Sequence, residues 1–399
     1  MRFLTSAAFL FLTRRRPPTK MSAMTTAAAS SKRMRVEESE LLQPLRDTVI
    51  VSTVEEAGQA KKIGTHDGKF HCDEALACAM LKFLPEWKDA VIVRTRDAVA
   101  LEACDIVVDV GGTYDGAKLR FDHHQRGFTH VLDELGFDTK LSSAGLVYKH
   151  FGRQVLEEVT KDKATGACPW PPHVTEVVYR KVYEIFMEAI DGIDNGVSVA
   201  SGDGGGGKPA YRVTTDLSSR VGRLHPSWNE PQSAAVVHER FKEACLLTGG
   251  ELLECFLGLA NGWWPARSVV EKSYDAKSAA VDPSGKVMAL DSGGVPWQSH
   301  VFDLEAERAV PPEAQLLFVI YEDQSGKWRV QAVPTAEGSF ESRLKLGAPE
   351  WRGLRDDALS EACGLPGAVF IHAAGFIGGH ATREGALALA LKTIQLAGR

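Results

Sequence analysis

Apolar runs alternate with amphipathic stretches through the middle of the chain. Ile63-Gly64-Thr65-His66 is a short run that turns polar at its end. Asp73 to Leu84 has helical spacing, with Leu76, Met80, Leu81 and Leu84 on one face and two acids in the first turn. Ala90 to Arg94, Asp105 to Val110 and Lys118 to Phe121 read as strands. The second of these is apolar between its acids and closed by Gly111-Gly112; the third ends in acid and histidine. Ser142 to Phe151 predicts a helix with Ser142 or Ser143 as N-cap. A polar, Pro-containing bridge, Lys161 to Pro172, leads to a long helix from His173 to about Ile190, with Val174, Val177, Val178, Val182, Ile185 and Phe186 as apolar positions. Apolar strands alternating with helices predict an α/β fold with a parallel sheet buried on both faces.

The texture changes after a helix at Ala234 to Gly258 and the pair Trp263-Trp264. Strands are expected at Val287 to Leu290, Leu316 to Tyr321 and Trp328 to Val333, then a Gly-rich turn and a helix from Thr382 to Leu396. This reads as a second, smaller α+β domain, with the boundary near 258–268.

Composition narrows the class. Hydrophobic residues make up 44% and charged residues 25% of 399, enough for a real core and against a disordered or collagen-like chain. After the first 12 residues no apolar run approaches the ~20 residues of a membrane span. Seven cysteines without a CxxC pair argue against a zinc ribbon or disulfide framework. The formal charge of -6 does not announce a nucleic-acid binder, but it is uneven. Residues 1–36 hold eight basic residues and no acid on an Ala/Ser/Thr-rich background, leaving a distinctly acidic body. Arg14, Arg15 and Arg16 follow the apolar stretch Phe3 to Leu12 rather than precede it, as in a transit peptide and unlike a secretory signal. The expected address is the mitochondrial matrix. Translation restarting at Met21 or Met24 would leave Lys32-Arg33-Met34-Arg35 near the terminus, a short nuclear or nucleolar signal.

Four polar clusters stand at the ends of predicted elements: His66 to Glu74, Asp109, Asp122-His123-His124, and Asp191 to Asn195. Ligands bind outside the carboxyl ends of strands in open α/β sheets. His and carboxylates there read as a divalent-metal site. Singly, each has a plainer reading, since a strand-ending aspartate caps the next helix and Asp-Gly makes a turn; the conjunction of four is what points to metal. Gly202 to Lys208 imitates a P-loop, but Pro209 supplies no hydroxyl and no buried strand precedes Gly202, so it is expected to be a flexible loop.

Asp122-His123-His124 after a strand ending in Asp109 resembles the DHH phosphoesterase superfamily of exonucleases, oligoribonucleases and family II pyrophosphatases. Gly64 to Glu74 and Phe376 to Ala386 resemble, more narrowly, the MYG-type (melanocyte proliferating gene) exonuclease family, and Trp351 to Asp356 and Phe370 to His372 fit it too. The resemblance covers about 45 to 399. It implies a leader at 1–44, a metal-binding phosphoesterase domain at 45–258 and a substrate-binding domain at 259–399, with the active site in the cleft between them. It implies two divalent ions, Mn²⁺ preferred and Mg²⁺ accepted, sharing a bridging hydroxide. The implied ligands are His66, His71, Asp73, Asp109, His123 and a fourth-motif aspartate. That aspartate is Asp191 or Asp194, with Asp191 preferred because it directly ends the long helix. His71 replaces a superfamily aspartate, with Asp67 as the alternative; a histidine there shifts preference toward Mn²⁺. Asp109 would bridge both ions, His124 would meet substrate phosphate, and Asp122 would orient a histidine. Gly378, Gly379, His380 and Arg383 would hold phosphate across the cleft. The implied activity is 3′–5′ exonuclease action on RNA, single-stranded or at 3′ ends. A small-molecule phosphatase or pyrophosphatase and a non-catalytic scaffold are the alternatives. The acidic body weighs against tight non-specific RNA binding.

Overall fold

The computed structural model describes residues 40–162, 165–198 and 211–398. The basic leader, including the transit-peptide stretch, and the Gly202–Gly207 loop lie outside the described residues. The first part of the chain runs through α1 (Gln43–Arg46), β1 (Ile50–Val51), β2 (Lys62–Thr65), α2 (Cys72–Lys82), β3 (Val91–Arg94), α3 (Ala98–Glu102), β4 (Ile106–Val108), β5 (Tyr114–Asp115), β6 (Arg120–Phe121), α4 (Ser143–Thr160), α5 (Pro172–Val182), α6 (Glu188–Asp194), α7 (Leu217–Gly222) and α8 (Ala234–Gly258). The second holds α9 (Trp264–Ala276), β7 (Val287–Leu290), α10 (Gln298–Glu307), β8 (Phe318–Glu322), β9 (Trp328–Ala332), α11 (Asp356–Cys363), β10 (Ala368–Ile371), β11 (Ile377–His380) and α12 (Arg383–Leu396).

The first sheet has the order β1-β3-β2-β4-β6-β5 and is parallel except for β5, which pairs antiparallel with β6. Alternate residues of its central strands enter two different cores. Ile63, Ile92, Ile106 and Val108 join the large cluster with α2, α4 and α8. Val91, Val93 and Val107 join Leu101 and Cys104 beneath the other face. Double burial is why these strands show no polar alternation. Helix α2 lies between α4 and α8 with every residue from Cys72 to Lys82 buried, so it too lacks a polar face. Three strand ends, those of β2, β4 and β6, deliver His66, Asp109 and Asp122-His123-His124 to one edge of the sheet.

The second sheet has the order β10-β11-β9-β8-β7 and is antiparallel apart from the β7–β8 pair. Helices α11 and α12 pack with Val287, Phe318, Ile320 and Val330 on one face. Val270 and Tyr274 of α9 and Val301 and Leu304 of α10 pack with Met288, Leu290 and Val319 on the other.

Three features differ from the sequence pattern. The expected boundary at 258–268 falls inside one continuous helical run from Ala234 to Val281, made of α8, a π-turn at Leu259–Trp263, α9 and a π-turn at Lys277–Val281. Trp263 and Trp264 pack against the first core, while Val270 and Tyr274 belong to the second. Pro265 is tolerated because the wide π-turn just before it already disrupts the regular ladder that a proline would break. The long helix expected at 173–190 likewise contains a π-turn, Tyr183–Met187, between α5 and α6. Lastly, the expected Gly-rich turn at 375–380 is mostly strand β11, paired with β9 and β10 on either side. A Cβ on Gly378 would lie 2.6 Å from Leu346 Cδ2 and 2.8 Å from the Phe370 carbonyl. Those glycines serve close packing in an inner strand.

Candidate metal centre

The loop from β2 to α2 is held from below. Arg94, fully buried, donates from Nε to the His66 carbonyl (3.1 Å) and from Nη2 to the Gly68 carbonyl (3.0 Å), with its guanidinium 4.5 Å from the Phe241 ring. Gly68 adopts φ +78, which folds the loop back so that His66 and His71 meet with ring centroids 5.8 Å apart. Glu74, in the first turn of α2, accepts from the His71 backbone N–H (2.8 Å) and places Oε1 3.0 Å from His66 Nε2. Asp73, also in that turn, accepts from Ser143 Oγ (2.7 Å) through Oδ2.

Asp109 follows β4 with φ 60, in the left-handed region that a non-glycine residue enters at a cost of about 1–3 kcal/mol. That conformation turns its carboxylate between two histidines: Oδ2 is 3.3 Å from His66 Nε2 and Oδ1 is 3.3 Å from His123 Nε2. His123 Nε2 also lies 3.1 Å from Asp194 Oδ2. The neighbouring His124 donates Nδ1–H to Asp122 Oδ1 (2.7 Å), and Asp122 Oδ2 accepts from the Gly112 N–H (2.5 Å). Asp122 is thus an orienting group for His124.

Among the described residues three sets of side chains have ligand atoms within 4.8 Å of one another: His66, His71, Glu74 and Asp109; Asp109, His123 and His124; and Asp73, His123 and Asp194. The sets share Asp109 and His123, so they form one cluster. Two residues of the sequence-based set lie outside it. Asp67 is exposed and pairs with Arg96 Nε (3.1 Å). Asp191 is fully buried, where Oδ1 accepts from the Ser142 N–H (2.9 Å) and Oγ (2.7 Å) and Oδ2 accepts from Tyr183 OH (2.8 Å). Gly145 makes room for it, because a Cβ there would fall 2.4 Å from Oδ1. The geometry brings Asp194, one helical turn on, into the cluster and leaves Asp191 outside it, with both Asp191 oxygens already accepting from neutral donors. Glu74 was missed by sequence reasoning, since an acid in the first turn of a helix has the ordinary explanation of the helix dipole.

The residues present fit divalent ions. Asp73 Oδ1, Asp109 Oδ1 and both His123 ring nitrogens are buried without an aligned hydrogen bond. Such atoms are costly to bury unless something binds them. His123 Nε2 lies within 3.3 Å of two carboxylates yet is aligned with neither. His123 Nε2, Asp109 Oδ1 and Asp194 Oδ2 are thus close together without a direct hydrogen bond to satisfy the imidazole nitrogen. Imidazole nitrogens mixed with carboxylate oxygens are ordinary ligands of divalent ions.

The electrostatics agree. Burial opposes a charge on His66, but Asp109 and Glu74 outweigh it and raise its pKa to about 10. Burial opposes a charge on His123 as well, and Asp109 and Asp194 raise its pKa to about 9. Burial would raise the Asp109 pKa, but His123 and His66 hold it well below the usual carboxylate range. Burial, reinforced by Asp109, Asp194 and Glu74, pushes Asp73 well above it. The crowded carboxylates favour positive charge at these two imidazoles.

The second-domain residues have packing roles of their own. His380 is buried, its ring lies where a Cβ on Gly385 would fall 1.8 Å from Cε1, and its Nδ1 accepts from the Thr382 N–H (3.1 Å). A Cβ on Gly379 would lie 2.5 Å from Arg329 Nη1. Arg383 sits over the Trp328 ring at 5.8 Å, in the first turn of α12, which Thr382 caps.

Fold and site define an α/β protein with a His/carboxylate cluster at the carboxyl edge of a parallel sheet. The chain belongs to the MYG1 exonuclease family, whose model, described as "Uncharacterised protein family (UPF0160)", matches residues 62–394. It is 49% identical to the MYG1 exonuclease of Bos taurus over 337 residues, which is 84% of each chain. It is 48% identical to the MYG1 exonuclease of Homo sapiens over 337 residues, 84% of this chain and 85% of that one. The MYG1 protein C27H6.8 of Caenorhabditis elegans is 48% identical over 339 residues, 84% of this chain and 95% of the other. No solved structure matches. Among the described residues no helix is long and apolar enough to cross a membrane.

Proposed function

We propose that this chain is a metal-dependent phosphodiester hydrolase of the DHH type, acting as a 3′–5′ exonuclease on RNA. The observation that carries this reading is Asp109, a strained and buried carboxylate with one oxygen toward each of two histidine groups. His66, His71, Glu74 and Asp109 would hold one ion; Asp73, Asp109, His123 and Asp194 would hold a second. Bound divalent cations supply Lewis-acid polarisation of a phosphoryl oxygen and a water that ionises near neutral pH.

The chain's own groups do the rest. Asp122 fixes the Nδ1 proton of His124 and leaves Nε2, on a side chain 61% exposed, to donate to a substrate phosphate oxygen. The Asp122 contact, against partial burial, raises the His124 pKa, which favours the donor form. Arg126 is exposed two residues beyond His124, and Lys69 is exposed two residues before His71; both supply charge for a polyanion. The names of the mammalian relatives support nuclease action. The composition of the leader supports a mitochondrial address. End-labelled RNA and DNA incubated with Mn²⁺, Mg²⁺ or EDTA test the reading. The expected result is stepwise loss from the 3′ end of RNA with Mn²⁺, weaker with Mg²⁺ and absent in EDTA. Intact RNA in every condition would overturn it.

A further inference from the structure

Trp228 is 93% exposed, an unusual position for so large an apolar side chain. Its turn is nevertheless built. The Ser227 N–H donates to Glu230 Oε2 (2.6 Å), the Glu230 N–H donates to the Ser227 carbonyl (2.8 Å), and Gln232 Nε2 donates to the carbonyls of Ser227 (2.8 Å) and Glu230 (3.1 Å). The backbone is closed on itself and the indole projects from it.

This turn is also clamped to the metal centre. His225, three residues before Trp228, lies with its ring 4.1 Å from the Phe70 ring and donates Nε2–H to the Phe70 carbonyl (2.8 Å). Phe70 is buried, 5.5 Å from Phe241, and immediately precedes His71. A rigid path therefore runs from the His71 loop through Phe70 and His225 to an exposed indole. Exposed cations belong to the segments that carry the cluster: Lys69 on the His71 loop, Arg126 beyond His124, and Arg96, which pairs with Asp67 and lies 3.1 Å from His66 Nδ1. An exposed aromatic face tied to the loop of a metal centre, with cations on the segments that carry that centre, is the chemistry of single-stranded nucleic-acid binding. There, bases stack on aromatic rings and phosphates meet positive charge.

We propose that Trp228 is the stacking platform for a base of the substrate strand a few nucleotides from the scissile bond. It acts on strand position and affinity and leaves the chemistry to the cluster; it rests on the nuclease reading above. It also offers a route by which an acidic body binds RNA, through stacking and a few cations rather than a broad basic surface.

The test uses the full chain with Trp228→Ala and Trp228→Phe. A labelled oligoadenylate decamer is titrated in EDTA by fluorescence anisotropy. Trp228→Ala should weaken binding about tenfold, equivalent to about 1.4 kcal/mol and within the range of one base–aromatic stack. Trp228→Phe should keep most of the affinity. With Mn²⁺, Trp228→Ala should raise KM about tenfold and leave kcat within about twofold. Hydrolysis of a small chromogenic phosphodiester, too short to reach the indole, should stay unchanged. Wild-type affinity and KM in Trp228→Ala would overturn the proposal, as would equal loss on the chromogenic ester. A wild-type protein that binds the decamer but never hydrolyses it would overturn the nuclease reading and leave the stacking result standing. One that binds no oligonucleotide would overturn both.

Discussion

Asp109 and Asp191 are both aspartates buried in the first domain, within reach of the same helices. Their surroundings are opposite. Asp191 accepts three hydrogen bonds from uncharged donors, Ser142 N–H, Ser142 Oγ and Tyr183 OH, in a niche that Gly145 leaves open. Asp109 sits on strained backbone, and its Oδ1 has no aligned donor although two histidines lie beside it. The first arrangement ties α6 to the start of α4 and asks for nothing more. The second leaves a buried carboxylate oxygen without an aligned donor on strained backbone, which a bound cation would satisfy. Burial alone therefore does not separate a structural carboxylate from a ligand. What separates them is whether the available oxygens already have partners.

The comparison breaks most sharply at Asp109→Asn, which keeps the shape and removes the shared charge. Hydrolysis should fall by well over about 100-fold, the upper end of losses seen when only a supporting residue is removed. Mn²⁺ content by elemental analysis should fall with it. Full activity in Asp109→Asn would show the cluster to be misread. The paired variants Asp191→Ala and Asp194→Ala sharpen it next. Asp191→Ala leaves buried donors unsatisfied and should lower stability by about 2–4 kcal/mol, read from denaturant melts, while the folded fraction keeps its metal. Asp194→Ala should do the reverse, losing metal at nearly wild-type stability.

A smaller effect is pH dependence. His66 and His123, with pKa values of about 10 and about 9, carry protons at pH 7 without metal. Metal binding must displace those protons, so affinity should rise with pH up to about 9 to 10 and level off above. Calorimetry in buffers of different ionisation enthalpy would detect the release. The sign for the metal-free fold is the opposite. A histidine whose pKa is raised on folding adds stability that is fully present below its ordinary 6.5 and is lost as pH rises through about 9 to 10. Metal-free melts should thus soften toward alkaline pH. Smallest of all is Gly378→Ala in the second sheet. Its Cβ meets a backbone carbonyl that cannot swing away, so a loss of about 1–3 kcal/mol is expected, with metal content unchanged. Loss of metal in Gly378→Ala would tie that strand to the cluster.

Much of the site was legible because each residue ends an element whose apolar pattern is strong. His66 follows β2, Asp109 follows β4 and His123 comes just after β6, and apolar-to-polar switches of that kind survive in sequence. Which of the two aspartates near the end of the helix stands beside His123 was not legible. Asp191 and Asp194 are three residues apart, one turn of the same helix, so both fit a helical face. The π-turn at Tyr183–Met187 adds to the turn length and shifts the phase of everything after it. Counting from His173 therefore loses the face by Asp191. Glu74 hid behind the dipole role of its position, and the glycines of β11 behind their frequent use in turns.

By itself the sequence determined the alternation of strands and helices, the double burial of the parallel sheet and the family, because these depend on local periodicity and on motifs contiguous in the chain. It also determined that His and carboxylate groups follow the strands. Only the tertiary structure decided which carboxylates remain without partners, because a hydrogen bond between residues 142 and 191 or a contact between 66 and 74 depends on where separate elements come to rest. It also decided that residues 234–281 join both cores through one helix, and that the turn bearing Trp228 lies against the loop bearing His71. Partner satisfaction is a property of three-dimensional neighbours, and a linear pattern carries no record of it.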